Sequence, residues 1–229
     1  AANRRLIEAV ETYPGPTPTD LLIAGDLTEN GTAEQWNEFR AHYGPLGLCK
    51  IPTKLCTGNH DRPDGLFAAT PVLKGVAKLH GGLAYRWKRE GVEFLSLDIH
   101  PKFISMQWMQ KQLLDIGRDT PVVLLFHYNV TGRFSDFWTN TAERALYAKL
   151  LRDNRNIIAV FHGHYHKTTN ITFEGVPHLS PGSPKYLRVF LVCDVTAKAI
   201  HVQAVQYGPT TKMQSTTTWE TTIALPTRK

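Results

Sequence analysis

Cysteine is scarce, with Cys49, Cys56 and Cys193 the only three among 229 residues. That number and their irregular spacing exclude a disulfide framework and a zinc knuckle, so the thiols read as small buried hydrophobes and the expected location is the reducing cytoplasm. Long apolar runs are also missing: no stretch approaches the ~20 residues that cross a bilayer, which argues against membrane insertion. Basic side chains outnumber acidic ones, giving a net charge of +6, yet they are scattered rather than gathered into a stripe. Nucleic acid is therefore not the expected partner, while the positive balance suits a phosphate-bearing ligand. A leader pattern and an initiator methionine are absent too. Ala1 opens directly into "NRRLIEAVETY", where Leu6, Ile7 and Val10 fall at helical spacing and predict a helix over 4–13.

What is present is one recurring unit: a short apolar run rich in β-branched residues that stops abruptly on polar residues able to bind a metal. "LLIAGD" ends on Asp26, "KLCTGNHD" on Asn59, His60 and Asp61, "VVLLFHYN" on His127, and "IIAVFHGHYH" on His162, His164 and His166. Continuous apolar runs of this length read as strands buried on both faces. Between them lie amphipathic segments: 32–43, with a Thr-x-x-Gln capping box and Trp36, Phe39 and Tyr43 on one face, then 105–116 and 141–151. Strand and helix in alternation predict an α/β fold. After Phe161 the pattern changes to short strands and turns, expected to form a meander that completes a second sheet. The Thr-rich stretch 210–229 shows little pattern and is expected to be a mobile tail of a single domain spanning 1–229.

In open α/β sheets functional groups sit at the carboxyl ends of strands, so four strand tips bring Asp, Asn and His to one edge. Carboxylate, amide oxygen and imidazole form a ligand set for manganese, iron or zinc. Two such ions can clamp a phosphate and generate hydroxide near neutral pH, which points to phosphoester hydrolysis.

With "GDLTENG" at 25–31, "GNHD" at 58–61, "FHYN" at 126–129 and "GHYH" at 163–166, the chain resembles the calcineurin-like metallophosphoesterases over about residues 20–185. The resemblance implies a two-sheet β-sandwich flanked by helices in four αββα layers, two transition-metal ions, and hydrolysis of a phosphodiester or phosphomonoester by metal-activated hydroxide. By the same resemblance Asp26 bridges both metals, Asn59, His127 and His164 hold one, and His166 binds the other. His60 then acts catalytically on the phosphoryl oxygens or leaving group. "GHYHKTTNITFEGVP" and "GNHDRPD" look most like the class III cyclic-nucleotide phosphodiesterase branch.

The family's first motif, Asp-x-His on a strand before Gly-Asp, is not where it belongs. "FLSLDIH" at 94–100 has the right letters, Asp98 and His100, in the wrong place, and reads as a structural strand end. The domain thus reads as lacking its first strand, with the Asp-x-His pair expected just before Ala1. This gap favours an alternative, a catalytically impaired scaffold on the same fold that binds protein, as the metallophosphoesterase-like subunit of retromer does. No motif assigns a substrate-binding residue. The insert "TGRFSDFWTN" at 131–140 reads either as a lid whose Arg133, Phe134 or Trp138 selects a substrate, or as an ordinary surface loop.

Overall fold

The structure is a computed structural model that describes residues 2–63, 69–138, 140–208 and 216–225. The first half runs α1 (Ala2–Glu11), β1 (Leu21–Ala24), α2 (Ala33–Tyr43), β2 (Thr53–Cys56), α3 (Pro71–His80), β3 (Ala84–Arg89), β4 (Val92–Leu97) and α4 (Phe103–Ile116). It continues with β5 (Val122–Leu125), α5 (Thr141–Asp153), β6 (Ile157–Phe161), β7 (Thr169–Phe173), β8 (Val176–Ser180), α6 (Pro184–Leu187), β9 (Val189–Val195), β10 (Ala199–Gln206) and β11 (Thr216–Ala224).

The expected α/β sandwich forms from three pieces of sheet. Six strands in the order β3-β4-β5-β6-β8-β7 make the larger one, parallel from β4 through β8 and antiparallel at both edges. β1 and β2 pair in parallel, and β9, β10 and β11 form an antiparallel set. β4, β5 and β6 are buried along their whole length, as apolar runs with a neighbour on either side should be.

Three cores separate four layers. Met106, Met109 and Leu113 of α4 and Tyr147, Leu150 and Leu151 of α5 cover one face of the large sheet over Leu95, Leu97 and Leu124. Between the sheets, Phe94, Val123 and Phe161 meet Cys56, Ile200 and Val202, with Leu22 and Ala24 of β1 and Leu191 and Val195 of β9 at the margin. On the far side Ile7 and Val10 of α1, Trp36 and Phe39 of α2 and Val72 of α3 pack with Leu55, Leu21 and Ile23, and with Phe190 and Val192. Alternate residues of β1 and β9 thus feed the same two cores, so the two strands lie in one layer. They are not hydrogen-bonded to each other, and every residue of the apolar β1 is partly exposed.

Two expectations are corrected. β7 and β8 join the large sheet, β8 lying parallel to β6, instead of entering a second sheet with β9 and β10. Within the expected mobile tail, residues 216–224 form β11 and pair along β10. Residues 210–215 and 226–229 lie outside the described residues. Helix α2 is as expected, with Trp36, Phe39 and Tyr43 buried and the Thr32 hydroxyl accepting from the Gln35 amide. Gln35 does not close the reciprocal bond of a capping box; its Oε1 accepts instead from the amides of Glu29 and Asn30, bracing the loop that follows Asp26.

Candidate metal centre

Four of the five predicted ligands meet at the carboxyl ends of β1, β2, β5 and β6. His127 is the hub. Its Nδ1 donates to the Ala24 carbonyl at 2.7 Å, which fixes the tautomer and turns Nε2 toward the cluster. Around Nε2 lie Asp26 Oδ2 at 3.3 Å, Asn59 Oδ1 at 3.1 Å and His164 Nδ1 at 3.3 Å. One proton on Nε2 can satisfy one of these three atoms; a cation satisfies all of them. The spacings also match the edges of a ligand shell whose atoms sit about 2.1 Å from a common ion. His164 Nε2 is buried without a hydrogen-bond partner in the described structure. Among the described residues, no three His, Cys, Asp or Glu side chains by themselves form a group that could hold a metal ion; the Asn59 amide oxygen joins the cluster as a further donor atom.

The local chain is shaped for this convergence. A Cβ at Gly25 would meet the His127 ring at 2.5 Å, and one at Gly58 would collide with the Asp26 carboxylate. Asp26, His164 and His166 all have left-handed backbone, φ 52, 65 and 58, an uncommon conformation that gathers at functional sites.

Asp61, which the strand-tip pattern offers as a metal donor, has a different task. Its Oδ2 accepts from the amides of Leu27 and Gly58, and its Oδ1 from the amide and hydroxyl of Thr28. One fully buried carboxylate thereby pins the loop carrying Asp26 to the loop carrying Asn59. Burial pushes its carboxyl above the ordinary range, opposed by those donors.

Burial alone would lower the His127 imidazole, but the Asp26 charge and hydrogen bond outweigh it and raise it above the ordinary value. The same pairing overrides burial at Asp26 and holds its carboxyl below the usual range. His164, desolvated and beside His127, is pushed down to about 4, so its nitrogens are free of excess protons at neutral pH.

His60 lies beside the centre rather than in it. Its amide donates to Asp26 Oδ1 at 3.1 Å, and its Nδ1 bonds the Glu29 carbonyl at 3.0 Å, leaving Nε2 for other work. His166 stands at the rim, exposed, with its ring 5.4 Å from that of Tyr186. His162 is buried at the end of β6, and desolvation lowers it to about 4.

"FLSLDIH" is structural. Asp98 is buried against the Arg62 guanidinium at 2.5 Å and the Thr57 hydroxyl, bracing the chain just after Asp61. His100 stacks on Tyr128 at 5.2 Å and faces Glu143 at 3.6 Å. Neither reaches the cluster. In the insert, Trp138 is buried against His100 and Tyr147, so it anchors the loop. Phe137, which the sequence did not single out, faces His164 at 5.0 Å.

The fold is thus a helix-flanked α/β sandwich whose strand tips carry Asp, Asn and His toward one point. More particularly, the chain belongs to the calcineurin-like phosphoesterase family, whose profile matches residues 2–168. It is 25% identical over 217 residues to a probable glycerophosphodiester phosphodiesterase, GpdQ, of Arcobacter nitrofigilis, covering 89% of this chain and 77% of that protein. A dimetal phosphatase from Danio rerio shares the fold with a TM-score of 0.67 at 14% identity, covering 97% of this chain and 89% of that one. GAP50, described as the anchor in the inner membrane complex of Plasmodium, matches with a TM-score of 0.64 at 12% identity, covering 100% of this chain and 84% of that one. Among the described residues no helix is long and apolar enough to cross a membrane.

Proposed function

We propose that this phosphoesterase is a metal-dependent hydrolase of phosphodiesters or phosphomonoesters that uses two ions. The observation that carries the reading is His127 Nε2, turned by the Ala24 carbonyl toward a carboxylate oxygen, an amide oxygen and an imidazole nitrogen. Asn59, His127 and His164 would hold one ion with Asp26, and Asp26 with His166 would contribute to the second. Bound ions of this kind neutralise charge on phosphoryl oxygens and lower the pKa of water. Asp26, its carboxyl held below the usual range, would supply an ionised carboxylate to the ions. His60, fixed through Nδ1 on Glu29, offers Nε2 to exchange a proton with the leaving oxygen.

Asp26 and His166 alone would leave the second ion with fewer ligands than a closed shell needs.

An incomplete second shell among the described residues favours the scaffold reading instead. One experiment separates the two: hydrolysis of bis(p-nitrophenyl) phosphate by the natural full-length protein with manganese, iron or zinc added. Turnover abolished by a chelator and by Asp26→Ala supports the hydrolase. A folded, metal-supplied protein without turnover supports the scaffold.

A further inference from the structure

The insert after His127 is fastened at many points and still shows two aromatic rings to solvent. Asn129 Nδ2 donates to the carbonyls of Thr131 and Arg133, Arg144 donates to the carbonyls of Val130 and Ser135, and Trp138 is sunk in the core. Phe134 is held at φ 68, a conformation rare for a bulky residue, and opens a 3-10 turn over Ser135–Phe137. This fixed loop leaves Phe134 36% and Phe137 51% exposed, 5.9 Å apart. Both rings lie edge-on to His164, at 6.1 Å and 5.0 Å, so they wall the candidate metal centre. Arg133 covers the Phe134 ring at 4.7 Å, which leaves Phe137 as the barer surface. A left-handed backbone at a bulky residue costs about 1–3 kcal/mol, and such strain gathers at functional sites.

Resting on the phosphoesterase reading above, we infer that Phe137, with Phe134, selects esters whose organic group is a flat aromatic ring. With the phosphoryl group at the Asp26 and His127 cluster, the ester group falls beside these rings, where an aromatic face stacks and a small polyol gains little.

The test is binding, which does not require turnover. Affinities of phenylphosphonate and methylphosphonate are measured by calorimetry on the manganese-loaded, natural full-length protein. Wild type is expected to prefer phenylphosphonate by about 5- to 150-fold, the range that stacking of a ring on an aromatic side chain gives. Phe137→Ala should bring the preference within about twofold. Phe137→Leu keeps the apolar volume and the fold, and should still cut the preference at least about threefold. Equal binding by wild type, a preference that survives both substitutions, or no binding of either ligand overturns the inference. Ring preference without hydrolysis of bis(p-nitrophenyl) phosphate sinks the hydrolase reading alone; hydrolysis without ring preference sinks this inference alone.

Discussion

His127 Nε2 lies 3.3 Å from Asp26 Oδ2, and the two residues hold each other in their charged forms against the cost of burial. A cation entering this cluster must displace the imidazole proton. Manganese binding is therefore predicted to release protons near neutral pH, and affinity should fall as pH drops through the raised His127 value. Calorimetry in buffers of different ionisation enthalpy reads the proton directly. A binding enthalpy that does not vary with buffer contradicts the account.

Asp61 joins the loops of Asp26 and Asn59 through four donors, and an amide can accept with one oxygen only. Asp61→Asn is predicted to cost about 2–4 kcal/mol of stability and to weaken metal binding, although Asp61 touches no ion. Chemical denaturation and a metal titration check both effects. Unchanged metal affinity would mean that the loops hold their places without it.

Asp98→Asn leaves the buried Arg62 guanidinium without its facing carboxylate charge and should destabilise the fold by about 3 kcal/mol. His100→Ala should lower thermal stability by removing the ring stacked on Tyr128 and tilted against Trp138. Neither substitution should remove metal from protein that remains folded. Metal loss in folded His100→Ala would make "FLSLDIH" part of the site.

The strand tips were legible because a buried strand advertises itself by an unbroken apolar run, and Asp26, Asn59, His127 and His164 each end one. The sheet that the β7–β8 pair joins was not legible, since the partner of β8, β6, is chosen by three-dimensional layering rather than by local pattern. β11 escaped notice because it is an edge strand of Thr-rich composition, largely exposed, with no apolar alternation to read. In the insert, the turn geometry decides which ring is buried. Trp138 went inward and Phe137 outward, and composition alone treats them alike.

Three deeply buried histidines are expected to contribute to the loss of stability in acid. Desolvation lowers His100 and His178 to about 3 and His162 to about 4. His178 is held neutral in the fold, its Nδ1 at the Val176 carbonyl and its Nε2 at the Tyr147 hydroxyl. Below the unfolded value near 6.5 the unfolded chain binds more protons, so stability must fall as pH drops from there toward 4. Each residue adds a slope of up to about 1.4 kcal/mol per pH unit. Denaturation between pH 4.5 and 7.5 should show a shallower slope for His178→Gln than for wild type. Parallel curves would contradict this assignment.

The most direct test of the central claim is the number of metal ions retained per chain by the natural full-length protein after dialysis, measured beside Asp26→Ala. The account predicts two ions in the intact protein and loss of both when Asp26 is removed. A folded Asp26→Ala variant that keeps the same metal as wild type would contradict it.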